Sequence, residues 1–153
     1  MKLLLLRHAD ADMPAASDLA RPLSEKGHKQ AQELARFLKA YSIQPKIIIT
    51  STATRAIETA KPIAAALRIE SIPCNWARPG MPPDEALHEL QPYSQFKEVL
   101  LVGHQPDLGT LAARLIGLPQ PARLHIRKAS LIHLNLTSPS SAMLEALIPC
   151  LLP

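Results

Sequence analysis

The chain has 153 residues, enough for one domain with a sizeable core, and its 47% hydrophobic and 20% charged residues are those of an ordinary globular protein. Aromatic residues make up only 3%, which leaves the core to Leu, Ile, Val and Ala and argues against recognition of single-stranded nucleic acid by stacking. A net charge of +4 favours an acidic or phosphorylated partner, and no run of Lys and Arg is long enough for a nucleic-acid-binding tail.

The first element is Leu3–Leu6, a short, wholly apolar run that predicts a strand buried on both faces of a parallel sheet. It is too short for a signal-peptide core and runs at once into Arg7 and His8. No stretch approaches a membrane span. Cys74 and Cys150 are far apart and flank no metal-like spacing, so free thiols in a reducing compartment and a cytoplasmic protein are expected.

A loop from Asp12 to Pro22 leads to Ser24, which has the character of a helix N-cap. In the helix that follows, Gly27, Ala31, Leu34, Ala35 and Leu38 share one face. Ile47–Ile49 predicts a second buried strand. Thr50 to Thr54 is turn-like, and a helix then carries Ile57, Ala60, Ala64 and Leu67 on one face. Ile69–Cys74 suits a short strand. Pro79, Pro82 and Pro83 break the chain before a helix over roughly Asp84 to Gln91. Val99–Val102 is a third apolar strand, and Leu108, Leu111, Ala112, Leu115 and Ile116 form another helical stripe. Ser130–Leu136 alternates as a strand near a sheet edge does. The tail after Ser138 has no pattern that selects an element.

Strands alternating with helices imply a three-layer α/β/α fold with a mostly parallel central sheet, one domain over residues 1–153. The region Ser71 to Lys97 is too short for a lid domain. In such sheets ligands bind beyond the carboxyl ends of the strands. The first strand ends in Arg7–His8, the second leads through "TSTATR" to Arg55, and the third ends in Gly103–His104. Parallel strands would bring two arginines and two histidines to one edge. Two guanidinium groups can clamp phosphate oxygens, a neutral imidazole can attack phosphorus, and a second imidazole can steady developing charge. Gly103 is expected to let the backbone turn before His104.

These residues resemble a known family. "LLLLRHADA" is similar to the strand and Arg-His-Gly motif of the histidine phosphatase (phosphoglycerate mutase-like) superfamily, with Ala9 in place of glycine. "RPLSEKGHKQAQELARFL", "IITSTATRAIETA" and "VLLVGHQPDL" resemble its later motifs in order, and the short phosphohistidine phosphatase branch, the SixA type, matches best. The resemblance implies that His8 is the nucleophile and is transiently phosphorylated, that Arg7 and Arg55 hold the phosphoryl group, and that His104 hydrogen-bonds it. It adds Arg21 as a further phosphate contact and Ser51 as a neighbour of the site. Larger relatives supply a general acid from an insertion that is short here, where Asp84 and Glu85 are the candidates. The implied activity is hydrolysis of protein phosphohistidine without cofactor or metal, on a phosphorylated protein such as a histidine-containing phosphotransfer domain, with no nucleic acid or membrane partner. A broad phosphomonoesterase, a metal hydrolase using His8, Asp10, Asp12 and His104, and a non-catalytic phosphoprotein-binding module are the competing readings.

Overall fold

A computed structural model describes residues 1–13, 16–120 and 124–152. The elements follow in the order β1 (Lys2–Arg7), α1 (Glu25–Ala40), β2 (Ile47–Ser51), α2 (Thr54–Leu67), β3 (Ser71–Cys74), α3 (Pro83–Leu90), β4 (Glu98–Gly103), α4 (Asp107–Leu115), β5 (Leu131–Ser138) and β6 (Ser141–Ile148). They build a six-stranded sheet of order β3-β2-β4-β1-β5-β6. The first four strands run parallel, and β5 and β6 pair antiparallel. The α/β class and mostly parallel sheet are those expected from the alternation of elements.

The continuous apolar runs are explained by burial on both faces. Leu3, Leu5, Ile47, Ile49, Val99 and Leu101 pack on one side with Leu108, Leu111 and Leu115 of α4 and Ala86 and Leu90 of α3. Leu4, Leu6, Ile48, Leu100 and Val102 pack on the other with Leu34 and Leu38 of α1 and Ala56, Ala60 and Ile63 of α2. Successive strand residues point to opposite faces, so a run buried on both must be apolar at every position.

Helix α1 starts where Ser24 accepts a hydrogen bond from the Gly27 N–H at 3.0 Å. Its first turn lies on the loop after β1: a Cβ on Gly27 would stand 1.9 Å from the Asp10 carbonyl oxygen, and the Ser24 N–H donates to that same oxygen. The obstacle is backbone, which cannot rotate away. Gly27→Ala is therefore expected to destabilise the fold by about 2 kcal/mol or more. Urea unfolding at constant m-value measures it, and a midpoint matching the parent protein would show that the two segments separate easily.

Three local expectations are corrected. The buried face of α2 is Arg55, Ala56, Thr59, Ala60 and Ile63, and Ile57 is exposed. Alanines line nearly every side of this helix, so two apolar stripes compete, and the polar contacts of Arg55 and Thr59 with the strand ends select the one that buries them. Gly103 has no left-handed backbone; a Cβ there would stand 3.3 Å from Leu108, so its small size serves packing against α4. The unassigned tail supplies β6, the edge strand beside β5. Both cysteines are free thiols, as expected. No helix of the described residues is long and apolar enough to cross a membrane.

Candidate active site

Strand order places the site. β1 and β4 are parallel neighbours with Arg7 in register with Gly103, so the next residues, His8 and His104, emerge side by side. The His8 N–H donates to the Gly103 carbonyl at 3.0 Å, and the two imidazole centroids lie 5.2 Å apart. β2 flanks β4 on its other side and delivers Ser51, whose Oγ lies 2.8 Å from His104 Nε2. The turn after β2 starts α2, which brings in Arg55. Arg7, His8, Arg55, His104 and Ser51 thus gather at the carboxyl ends of three parallel strands.

The hydrogen bonds define the state of His8. Its Nδ1 lies 2.7 Å from the Ala9 carbonyl, which can only accept, so Nδ1 carries the proton. Its Nε2 accepts from Arg55 Nε at 3.2 Å and holds the lone pair. Ala9 is fully buried with no left-handed backbone, so alanine fits in place of the glycine of the motif it resembles; its N–H donates to Thr59 Oγ1. For His104, Nδ1 faces the Arg55 Nη2 donor at 3.4 Å, leaving Nε2 to donate to Ser51 Oγ.

Both rings are neutral at physiological pH. Burial pushes His8 down to about 4, its hydrogen bond to Ala9 opposes this, and the charges of Arg55, Arg7 and Lys128 lower it further. Burial, His8 and Arg55 push His104 down to about 3, against a smaller opposing pull from Asp18. Two expectations follow. In an NMR titration the ring signals of both histidines stay unshifted from pH 8 to about 5.5; a midpoint near 6.5 for either would refute the burial argument. Both folded values lie below the unfolded one, so unfolding takes up protons between them. Stability is then full above pH 6.5 and declines as pH falls toward 4. Urea unfolding at pH 7.5 and 5 reads that loss.

Arg55 connects the cluster. Beyond its contacts with the two histidines, Nη1 donates to the Asp18 carbonyl at 2.7 Å and Nη2 to the Asp18 carboxylate at 3.0 Å. A buried guanidinium needs such partners. Arg7 donates from Nη1 to the Ile126 carbonyl at 2.8 Å, and its buried Nε has no partner among the described residues. Arg21 stands one step away, donating to the Asp12 carbonyl and to the Asp18 carboxylate. Its link to the site runs through Asp18, which sequence reasoning did not single out. The hydrogen bonds from Arg21 and then Arg55 hold the Asp18 carboxyl below its usual range.

Asp84 and Glu85 are exposed on the first turn of α3; Asp84 faces Arg114 at 3.7 Å, and no hydrogen bond or ion pair joins either carboxylate to the histidines. Asp10 turns to Lys128 and Ser24. Among the described residues no group of three His, Cys, Asp or Glu is placed to hold a metal ion, so the donor set of the metal-hydrolase reading is not gathered.

A family model for the histidine phosphatase superfamily (branch 1) matches residues 3–75. The phosphohistidine phosphatase SixA homolog of Haemophilus influenzae is 30% identical over 132 residues, covering 79% of this chain and 80% of its own. Phosphohistidine phosphatase SixA of Escherichia coli is 28% identical over 121 residues, 75% of this chain and 74% of its own. The solved structure of the protein histidine phosphatase SixA complexed with tungstate superposes with a TM-score of 0.88 at 22% identity, covering 97% of each chain. The ordered motifs, the shared fold and this extended sequence identity place the chain in the histidine phosphatase superfamily, as a homologue of the SixA proteins.

Proposed function

We infer that this phosphatase-family chain hydrolyses protein phosphohistidine through a covalent intermediate on His8, without a metal. The observation that carries the reading is the unprotonated Nε2 of His8: the Ala9 carbonyl fixes the tautomer, and Arg55 Nε donates to the lone pair in the place a phosphoryl group would take. The Nε2 lone pair attacks phosphorus, and the bond from phosphorus to the substrate imidazole breaks. That electron pair returns to the leaving ring, which departs neutral when its other nitrogen carries a proton. Arg7 and Arg55 neutralise the phosphoryl oxygens as charge develops. Water then attacks the phosphorylated His8. A phosphorus–oxygen bond forms, the bond to Nε2 breaks, and the proton of the water leaves with phosphate.

The choice of a phosphoramidate substrate has physical support. An alkoxide leaving group needs a positioned acid. The carboxylate that touches the cluster, Asp18, is held in its ionised form, and Asp84 and Glu85 stand apart. A neutral imidazole leaves without strong acid assistance. The names of the SixA relatives point to the same substrate.

Competition kinetics tests the reading. A phosphohistidine protein should be turned over with higher kcat/KM than aryl or sugar phosphates, and activity should survive a chelator. A preferred sugar phosphate, with that activity destroyed by Asp84→Ala or Glu85→Ala, would overturn it.

A further inference from the structure

A second concentration of charge adjoins the phosphoryl site. A cleft of about 250 Å³ is lined by, among others, Arg7, Lys26, Arg127 and Lys128, with Asp10 as its carboxylate. Both oxygens of Asp10 are engaged, Oδ1 by Lys128 Nζ at 2.7 Å and Oδ2 by Ser24 Oγ at 2.6 Å. Asp10 therefore offsets one cation of four. Among the described residues Lys26 and Arg127 form no ion pair, and the side-chain hydrogen bond that Arg127 donates there goes to His125 at 3.3 Å. Like charges gathered this closely repel one another, so the cleft favours an anionic occupant.

The cleft is tied to the candidate nucleophile. The Ala129 N–H donates to the carbonyls of Arg7 and His8 at 3.1 and 3.2 Å, and the Arg7 N–H donates to the Ser130 carbonyl at 3.2 Å. Ala129 has φ 56°, a left-handed conformation that costs a non-glycine residue about 1 kcal/mol. The backbone accepts that cost where it fixes the segment bearing Arg127 and Lys128 against the end of β1. Arg7 lines the cleft and precedes His8 in the chain, and the charges of Arg7 and Lys128 both act on His8, so the cleft lies within electrostatic reach of the candidate nucleophile.

We propose that this cleft is a docking subsite for acidic side chains flanking the phosphorylated residue of a protein substrate. The proposal rests on the reading that the substrate is a phosphoprotein. The cations are spread over three segments, the end of β1, the first turn of α1 and the stretch before β5, on long and separate side chains. That spacing suits several carboxylates along a peptide better than one compact second phosphate.

Two synthetic peptides with a stable phosphonate-triazole mimic of phosphohistidine test it, one flanked by glutamates and the other by glutamines. The parent protein should bind the glutamate peptide at least about tenfold more tightly at low salt, and a rise to about 0.5 M salt should shrink the difference. The Lys26→Glu/Arg127→Glu variant should lose the preference while hydrolysing an aryl phosphate at the parental rate. Equal affinity of the parent for both peptides overturns the subsite. So does a variant that keeps the preference, or one whose aryl phosphatase activity falls in step with binding. Failure of the functional reading shows separately, as a parent protein that hydrolyses aryl phosphate but leaves genuine phosphohistidine peptides intact.

Discussion

His8→Ala is expected to abolish turnover and to leave tungstate binding within about tenfold of the parent protein. The substitution removes Nε2, the unprotonated ring nitrogen that attacks once a phosphoryl group replaces its contact with Arg55, while Arg7 keeps its anchor on the Ile126 carbonyl and Arg55 its anchors on Asp18. The anion cradle therefore survives the loss of the nucleophile. Acid-quench trapping gives the complementary readout. The parent protein should retain label from a phosphorylated substrate on His8, and the variant should retain none. Residual turnover in His8→Ala would remove His8 from the nucleophile's role. A parent protein that binds phosphoprotein but never labels would be a binding module on this fold.

The sequence revealed this cluster because its members occupy positions with a simple geometric meaning. Arg7, His8 and His104 sit at the ends of apolar runs, and parallel pairing in register converts that into proximity. Arg55 follows the next strand by one short turn. Asp18 has no such marker. It lies in a loop without periodicity, and its value comes from two backbone and side-chain contacts with Arg55 that no spacing encodes. The cleft residues Arg127 and Lys128 were hidden for the same reason, since hydrogen bonds from Ala129 and Arg7, and no repeating pattern, set their segment against β1. β6 was illegible because "SAMLEALI" is rich in good helix formers. Pairing with β5 overrides that preference, and register shifts along the pair blur the alternation that would have marked a strand.

Arg55→Ala is expected to lower kcat/KM by more than about a hundredfold, and Arg55→Lys to recover little of it. One guanidinium makes three kinds of contact here: Nε to the candidate nucleophile, Nη2 toward His104, and Nη1 and Nη2 to Asp18. Its planar fork can direct several donors at once, whereas a lysine ammonium is a single point charge on a flexible stem. Alanine would remove a charge-assisted contact to the transferring group and also the donor that aims His8 Nε2, so both the stabilisation and the orientation of the attack are lost. Asp18→Asn separates these contributions. Its amide oxygen can still accept from Nη2 and the backbone carbonyl still holds Nη1, so Arg55 keeps its place and kcat should fall far less than in Arg55→Ala. Steady-state kinetics on the three variants decides the matter. Near-parental activity in Arg55→Lys would show that charge alone suffices and that the fork geometry has no part in catalysis.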